Sequence, residues 1–486
     1  MTWPTPDHPA FSDFSSHQRE EYGKATAKGG GNLRLITGRP GVGKSHCLAR
    51  ILKAIPTGRA AVCGPTGKSA VRITELMQKA GVNLRATTIH SLLGPSRDED
   101  SGQWSFEHNE DNPLDLDWIF CDEFSMVDTS LAASLLAARD TGCRVLAIGD
   151  TNQLSPVGPG APLRDLVAAG LPCGNLIEPQ RSSGRIVRCC HGIIDKHTFE
   201  PSPKLDLTAE SPENLLHIEK RDPEEQVNAI KMLLERFRGG ATVSFRNSDG
   251  VVTQSRIDPV WQTQIIVPVN DKSPLARARL NTILQGFLNP GGETVQGCRF
   301  RKSDKVVLGK NSWCIVEMDR PRDLVGGPWN EDTKDGKVCT CNGDIGCVLA
   351  VLPRYSVVRL FAPDRLIRVP HGEQFTNEDG EETGDGNGWD LAYGISVHKS
   401  QGSEFPVAIF MVDEYPGARM LGTRELLYTA ISRAKVLGIT IGKRDLCDEM
   451  CRKTGVHSRK TFLVESIHGL QQASLVRSWE SLLTDV

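Results

Sequence analysis

The stretch GRPGVGKS, Gly38 to Ser45, decides how this sequence is read. It follows the apolar run Leu33 to Ile36 and precedes a segment, His46 to Ala54, with helical spacing. Strand, glycine-rich loop, then a Lys-Ser pair opening a helix is the pattern of a phosphate-binding loop. The glycines let backbone approach a polyphosphate at angles that residues bearing a Cβ resist. Backbone N–H groups and the positive end of the helix dipole then face the anion. Gly38, Arg39, Pro40, Gly41, Val42, Gly43, Lys44, Ser45 and His46 are the candidate nucleotide-binding residues. Lys44 is expected to reach the outer phosphates of a nucleoside triphosphate, and the Ser45 hydroxyl to ligate Mg2+. An ordinary glycine-rich turn matches the octet but has no reason to sit between this strand and this helix.

Outward from the loop, apolar runs recur and each ends in polar or glycine residues. Ala60 to Cys63 leads into Gly64-Pro65-Thr66-Gly67-Lys68-Ser69, Trp118 to Cys121 into Asp122-Glu123, and Arg144 to Ile148 into Gly149-Asp150. Gln264 to Val267, Ala408 to Val412 and Gly438 to Ile441 repeat the pattern. Short apolar runs separated by helical stretches predict parallel strands in an α/β fold. Ligands of such sheets gather outside the carboxyl ends of the strands, where the polar clusters lie. The acidic pair closing the run Trp-Ile-Phe-Cys divides two tasks in this setting. Asp122 is a candidate metal ligand and Glu123 a candidate for polarising the attacking water.

Composition bounds the rest. A chain of 486 residues, 39% hydrophobic and 24% charged, is a soluble globular chain in makeup. At roughly 150 residues per domain it holds three or four units. No run of eighteen apolar residues suggests a membrane span. The start, MTWPTPDHPAFSDF, lacks a signal-peptide core, so a cytoplasmic location is expected. The net charge of −3 announces no nucleic acid, although a basic channel can hide beneath an acidic exterior. The 14 cysteines are dispersed, with Cys339, Cys341 and Cys347 the tightest group and Cys447 and Cys451 further on. Without paired CxxC knuckles, reduced structural thiols are expected rather than a metal site.

Seven blocks standing in order extend the reading: GRPGVGKS, PTGKSAVRITEL, TTIHSLLG, CDEFSMVD, GDTNQLSPVGPG, SVHKSQGSEF and LLYTAISRAK. Together they resemble the RecD-like branch of superfamily 1B helicases, related to Dda-type phage helicases, from about Gln18 to Gly442. The resemblance implies an α/β fold of two tandem RecA-like P-loop motor domains, with a small hairpin insertion in the first and a small β-barrel insertion in the second. The expected boundaries are 1–175 for the first motor, 176–297 with 371–486 for the second, and 298–370 for the barrel. Position by position, the resemblance implies that Gln18 reads adenine and Gln153 senses the γ-phosphate. Arg181 and Arg433 would be arginine fingers, and Gly402 and Glu404 would touch nucleotide. Pro65, Thr66, Gly67, Lys68, His90, His398 and Lys399 would line single-stranded DNA. ATP with Mg2+ is the implied cofactor. Planar, permanently charged guanidinium groups suit a transition state whose charge spreads over equatorial phosphate oxygens.

Between TTIHSLLG and CDEFSMVD, residues 95–117 are too polar for a core element. They fit a short hairpin carrying Trp104 and Phe106, the family's strand-splitting pin, or a plain surface loop. Glu224 to Phe237 has the spacing of a packing helix. Short runs at Lys305–Leu308, Cys347–Leu352 and Val357–Phe361, with a turn at Asn342-Gly343-Asp344, fit the inserted barrel that in the family helps hold single-stranded DNA. Residues 371–389 are acidic and glycine-rich, a solvated loop by composition. The tail, 444–486, is expected to dock or pack.

There are departures from the family pattern. Arg181 is followed by Ser182 where the family has glutamine, which bears on the alignment of that finger. Phe124 and Ser155 replace a small residue and a proline. The chain starts shortly before Gln18, so no counterpart of the long N-terminal domain of larger relatives is expected.

The expected function is an ATP-dependent DNA helicase moving 5′ to 3′ on single-stranded DNA and acting at forks, with recombination, replication or defence proteins as partners. The polarity comes from the resemblance alone. Two alternatives remain open: an RNA or RNA–DNA helicase of superfamily 1, and a DNA-binding subunit switched by ATP that does not unwind. A metabolic kinase would leave six of the seven blocks without purpose.

Overall fold

The computed structural model describes residues 2–27, 31–97, 104–178, 184–240, 242–246, 251–309, 312–316, 337–340, 342–361, 364–371, 375–376, 382–383, 388–455 and 461–469. The chain forms two compact units: Met1–Pro65 with Arg72–Arg181 and Thr454–Val486, and Thr66–Val71 with Ser182–Lys453.

The first unit is built on a six-stranded parallel sheet. Its strands run in the order Thr87–Thr88, Ala60–Gly64, Trp118–Cys121, Arg144–Gly149, Leu33–Gly38 and Cys173–Leu176. Leu33 pairs with Val145 and Trp118 with Arg144, so the three central strands begin level with one another. Helices cover both faces of such a sheet, which is why Trp118–Cys121 is buried at every position and reads as an unbroken apolar run. Leu35, Ile119, Cys121, Val145, Ala147 and Leu163 form its core. Each fully buried aliphatic side chain stabilises by roughly 1.5–3 kcal/mol. Helix Lys44–Lys53 turns Cys47, Leu48, Ile51 and Leu52 inward. Helix Ser16–Ala25 begins in a reciprocal capping box, with Ser15 accepting from the Gln18 N–H and Gln18 accepting from the Ser15 N–H.

The second unit has two larger sheets. One is parallel, in the order Gly394–Ser396, Thr263–Val267, Phe405–Met411, Ala434–Gly442 and Leu215–Glu219. The other has seven antiparallel strands, in the order Lys337–Thr340, Ser312–Val316, Asp364–Pro370, Tyr355–Phe361, Ile345–Val351, Lys305–Leu308 and Trp389–Leu391. This sheet occupies the place of the expected barrel and reaches past 370 to take in Trp389, which is buried. Gly343, at φ +92, makes the anticipated turn. It brackets Leu308, whose carbonyl accepts from the Gly343 N–H and whose N–H donates to the Asp344 carbonyl, each at 2.9 Å.

Three further placements differ from the boundaries drawn on the sequence. Strand Cys173–Leu176 completes the first sheet, so that unit continues beyond 175. The tail was expected with the second motor, yet residues 463–469 are helical and belong to the first unit. There Ile467 packs on the first core and Thr461 Oγ1 donates to Asp165 at 2.5 Å. Within the acidic 371–389 stretch, Phe375–Thr376 pairs antiparallel with Glu382–Thr383.

Candidate nucleotide site and nucleic-acid-facing residues

The phosphate loop leaves the strand Leu33–Gly38 and enters helix Lys44–Lys53 through two left-handed glycines, Gly41 at φ +77 and Gly43 at φ +87. Gly38 admits no side chain, because an added Cβ would stand 2.9 Å from the Leu176 carbonyl. Lys44 Nζ curls back over the loop, donating to the carbonyls of Gly38 at 2.6 Å and Arg39 at 3.1 Å. Its charge is thereby held beside the N–H groups that open the helix. Gln18 is fully buried, and its Nε2 lies 3.5 Å from the Val42 carbonyl, which links the first helix to the loop. His46 faces Asp13, Nε2 to Oδ2 3.3 Å, on the exposed side of the helix. Arg39, Pro40 and Ser45 are half-buried.

Asp122 and Glu123 follow the strand Trp118–Cys121 and are 5% and 7% exposed. Glu123 adopts φ +53, a left-handed conformation uncommon for a residue with a side chain and often found at functional sites. Its N–H donates to Asp122 Oδ1 at 2.9 Å. Burial raises the Asp122 pKa to about 6, the Glu123 charge adds to the shift, and Arg72 and Lys44 oppose it. Arg72 Nη1 lies 3.3 Å from Glu123 Oε1, while Glu123 Oε2 is buried with no hydrogen-bond partner. Gln153 Oε1 and Ser125 Oγ, also buried, have none either. Ser125 and Gln153 line one small cleft with Asp150 and Arg164. Buried acceptors and carboxylates left this way are costly without a cationic or hydrogen-bonding ligand. The oxygen donors of Ser45 and Asp122 are the kind a hard divalent cation takes. Among the described residues there is no cluster of three or more His, Cys, Asp or Glu that could hold a metal ion. The described cysteines are free thiols.

Elsewhere in the first unit, Pro65 is half-buried and His90 lies 5.9 Å from the Phe106 ring. Burial lowers the His90 pKa. Phe106 belongs to strand Trp104–Phe106, which pairs antiparallel with Pro95–Arg97. A hairpin therefore stands where the pin was expected, although its tip and the Trp104 side chain lie outside the described residues. Thr66 and Ser69 cap one another at the start of helix Gly67–Lys79. Lys68 Nζ is 5.8 Å from the Phe405 ring within the second unit, and burial lowers its pKa to about 8.

In the second unit, His398 and Lys399 sit on the short helix Val397–Ser400, capped by Ser396. Burial lowers the Lys399 pKa, Arg277 adds to that, and Asp390 opposes it. Gly402 turns at φ +70, and Glu404 pairs with Lys435 at 3.0 Å. Arg433 is 3% exposed. Its guanidinium donates to the Thr429 carbonyl at 3.0 Å, the Ser403 carbonyl at 3.3 Å and Ser432 Oγ at 2.9 Å. Arg181 lies outside the described residues.

The chain matches the AAA domain over residues 24–159 and the UvrD-like helicase C-terminal domain over 391–437. It is 28% identical over 417 residues to the ATP-dependent RecD2 DNA helicase of Deinococcus radiodurans, across 84% of this chain and 46% of that protein. It is 29% identical over 436 residues to the RecBCD enzyme subunit RecD of Mycolicibacterium smegmatis, across 84% of this chain and 68% of that protein. The chain is thus similar to RecD and RecD2 along 84% of its length. The chain spans about half the length of the first of these relatives and two thirds of the second. Among solved structures, it is similar to the Pif1 helicase from Bacteroides in complex with ADP-AlF3 and ssDNA, at TM-score 0.40 and 18% identity, over 88% of this chain and 92% of that one.

Arg72 is the functional candidate that motif reading missed. It lies inside the quoted block PTGKSAVRITEL, four residues after Lys68 on one helix. Helical spacing places residues four apart on one face, but only the tertiary fold brings Glu123 to that face.

Proposed function

We propose that the chain is the motor of an ATP-dependent DNA helicase, moving 5′ to 3′ on single-stranded DNA and unwinding duplex with Mg-ATP. One observation carries the reading: the phosphate loop, the Asp122–Glu123 pair and the Gln153 cleft all sit at the carboxyl ends of strands in one parallel sheet. When bound, Mg2+ offsets charge on the β- and γ-phosphates. Lys44 would exchange its loop carbonyls for phosphate oxygens. Ser45 and Asp122 would hold the cation, and Glu123, oriented by Arg72, would accept a proton from the attacking water. Gln18 would meet the adenine and Gln153 the γ-phosphate. Arg181 and Arg433 would act as fingers, with Gly402 and Glu404 beside the nucleotide. Pro65, Thr66, Gly67, Lys68, His90, His398 and Lys399 would track the strand, with Trp104 and Phe106 on the pin. A cytoplasmic location and partners in recombination, replication or defence belong to the same proposal.

The test uses forked duplexes with a 5′ or a 3′ single-stranded tail, with and without ATP. Displacement from the 5′-tailed fork alone is expected. Hydrolysis stimulated by DNA without displacement from either fork selects the reading of a subunit that grips but does not unwind. Stronger stimulation by RNA oligonucleotides than by DNA selects an RNA helicase.

A further inference from the structure

The second unit exposes two large aromatic side chains against each other. Trp261 is 36% and Phe361 47% exposed, and their rings meet edge to face at 5.2 Å between centroids. Trp261 precedes the parallel strand Thr263–Val267, whereas Phe361 ends strand Tyr355–Phe361 of the antiparallel sheet. The pair therefore joins the motor core to the inserted sheet.

Isolated apolar residues on a surface need no explanation. Here a permanent positive charge stands beside the pair. The Arg359 guanidinium stands 5.7 Å from the centre of the Phe361 ring, two residues back on the same strand face. Lys305 Nζ stands 5.9 Å from the Trp261 ring, anchored by the carbonyls of Val260 at 2.8 Å and Thr263 at 3.3 Å. Asp258 adjoins the loop. Its Oδ1 accepts from the N–H groups of Val260 at 2.7 Å and Trp261 at 2.8 Å, which fixes the tryptophan's backbone. Rigid aromatic faces under positive charge suit a polyanion whose repeating units carry flat π-systems.

We propose that Trp261 and Phe361 form a stacking platform for a base of single-stranded nucleic acid, with Arg359 supplying positive charge beside it. This rests on the single-stranded DNA reading above and adds to it a base-stacking contact on the second unit. Recognition is of the base face, so it is independent of sequence.

The full chain is titrated with a fluorescein-labelled oligodeoxythymidine, and the same measurement is made on Phe361→Ala, Phe361→Leu, Trp261→Ala and Trp261→Phe. Loss of one stacked base is expected to weaken binding by about tenfold. Phe361→Leu, which keeps apolar bulk without a π-face, should fall with Phe361→Ala, while Trp261→Phe should retain most of the affinity. On an abasic strand of the same length, wild type and variants should bind alike. The salt dependence should keep its slope, since no phosphate contact is removed. If wild type binds the oligonucleotide and the variants match it, the platform is refuted while the helicase reading stands. Equal losses on the abasic strand, or full affinity in Phe361→Leu, also refute it. If wild type binds no single strand at all, the helicase reading itself fails.

Discussion

Asp122→Asn is expected to make the protein more stable and inactive at once. Asp122 is 5% exposed, and its pKa is raised to about 6 by burial first and by the Glu123 charge second. The folded state thus binds the extra proton more readily than the unfolded chain, in which an aspartate titrates near 3.9. Between those values the unfolded chain carries fewer protons, so stability falls as pH rises through the window. Above about pH 6 the full cost of the buried charge is present. Two pKa units correspond to about 2–3 kcal/mol. Asparagine preserves the acceptor that Glu123 N–H uses at 2.9 Å and removes the charge. Melting in EDTA at pH 7 should therefore rise, by about 2–4 °C per kcal/mol for a unit of this size. The gain should shrink as pH falls toward 4 and vanish below it. ATP hydrolysis in Mg2+ should be lost in the same protein. A melting temperature at pH 7 equal to or below wild type would sink the argument, since it would mean that Asp122 is not held at a cost.

Glu123→Gln should lower single-turnover hydrolysis by about 10²–10⁴-fold, as removal of a general base does, with nucleotide affinity near wild type, measured by quench flow and a fluorescent nucleotide; a change under threefold refutes the role. Arg72→Ala should reproduce part of that loss, and Arg72→Lys should restore some of it, because the contact to Glu123 Oε1 at 3.3 Å is an ion pair. Lys44→Ala should keep its fold, as among the described residues Lys44 Nζ bonds to the loop carbonyls of Gly38 and Arg39, and should lose DNA-stimulated ATPase; retained activity would end the assignment of the loop. Lys305 has its pKa lowered to about 7 by burial first, with Lys68 adding to the shift and Asp258 opposing it. Between about 7 and the ordinary lysine value, the unfolded chain holds the extra proton, so stability rises with pH there at about 1.4 kcal/mol per pH unit from this group. Lys305→Met should flatten that rise in denaturant titrations from pH 7 to 9, and an unchanged slope counts against the shift.

What the sequence made legible follows from where burial is symmetric. Ala60–Gly64, Trp118–Cys121 and Arg144–Gly149 are buried strands whose apolar runs stop at the sheet's carboxyl edge, so the acid pair could be placed from the pattern alone. Leu215–Glu219 escaped because it is an edge strand, buried at Leu215 and half-buried at His217, with no continuous run. Cys173–Leu176 carries a glycine and an asparagine, yet it pairs with Leu35–Gly38, where Gly174 makes room for the Glu21 carbonyl. The hairpin Thr242–Arg246 with Val252–Arg256 has no fully buried residue and so no signal. The contact of Arg72 with Glu123 spans 51 positions, a separation that only folding closes.

Buried polar groups at the candidate nucleotide site and two charged groups of the second unit are satisfied to different degrees, and the difference bears on the chemistry. In the second, Asp304 accepts from Gln285, Asn289, Tyr393 and the Arg301 N–H, and Arg433 is bonded through three guanidinium nitrogens. Such groups are satisfied as they stand and fix structure. In the first, Glu123 Oε2, Gln153 Oε1 and Ser125 Oγ have no partner among the described residues, and burial raises the Asp122 pKa to about 6. A site that is unsatisfied alone gains from a ligand that satisfies it, so a triphosphate at the proposed site would stabilise these groups. For Arg433 the same logic sets a condition. To act as a finger it must give up its bonds to Thr429, Ser403 and Ser432, and the Ser403 bond lies in the HKSQGSEF block. Release of the arginine would then be coupled to movement of that segment, which joins nucleotide state to the stretch carrying His398 and Lys399.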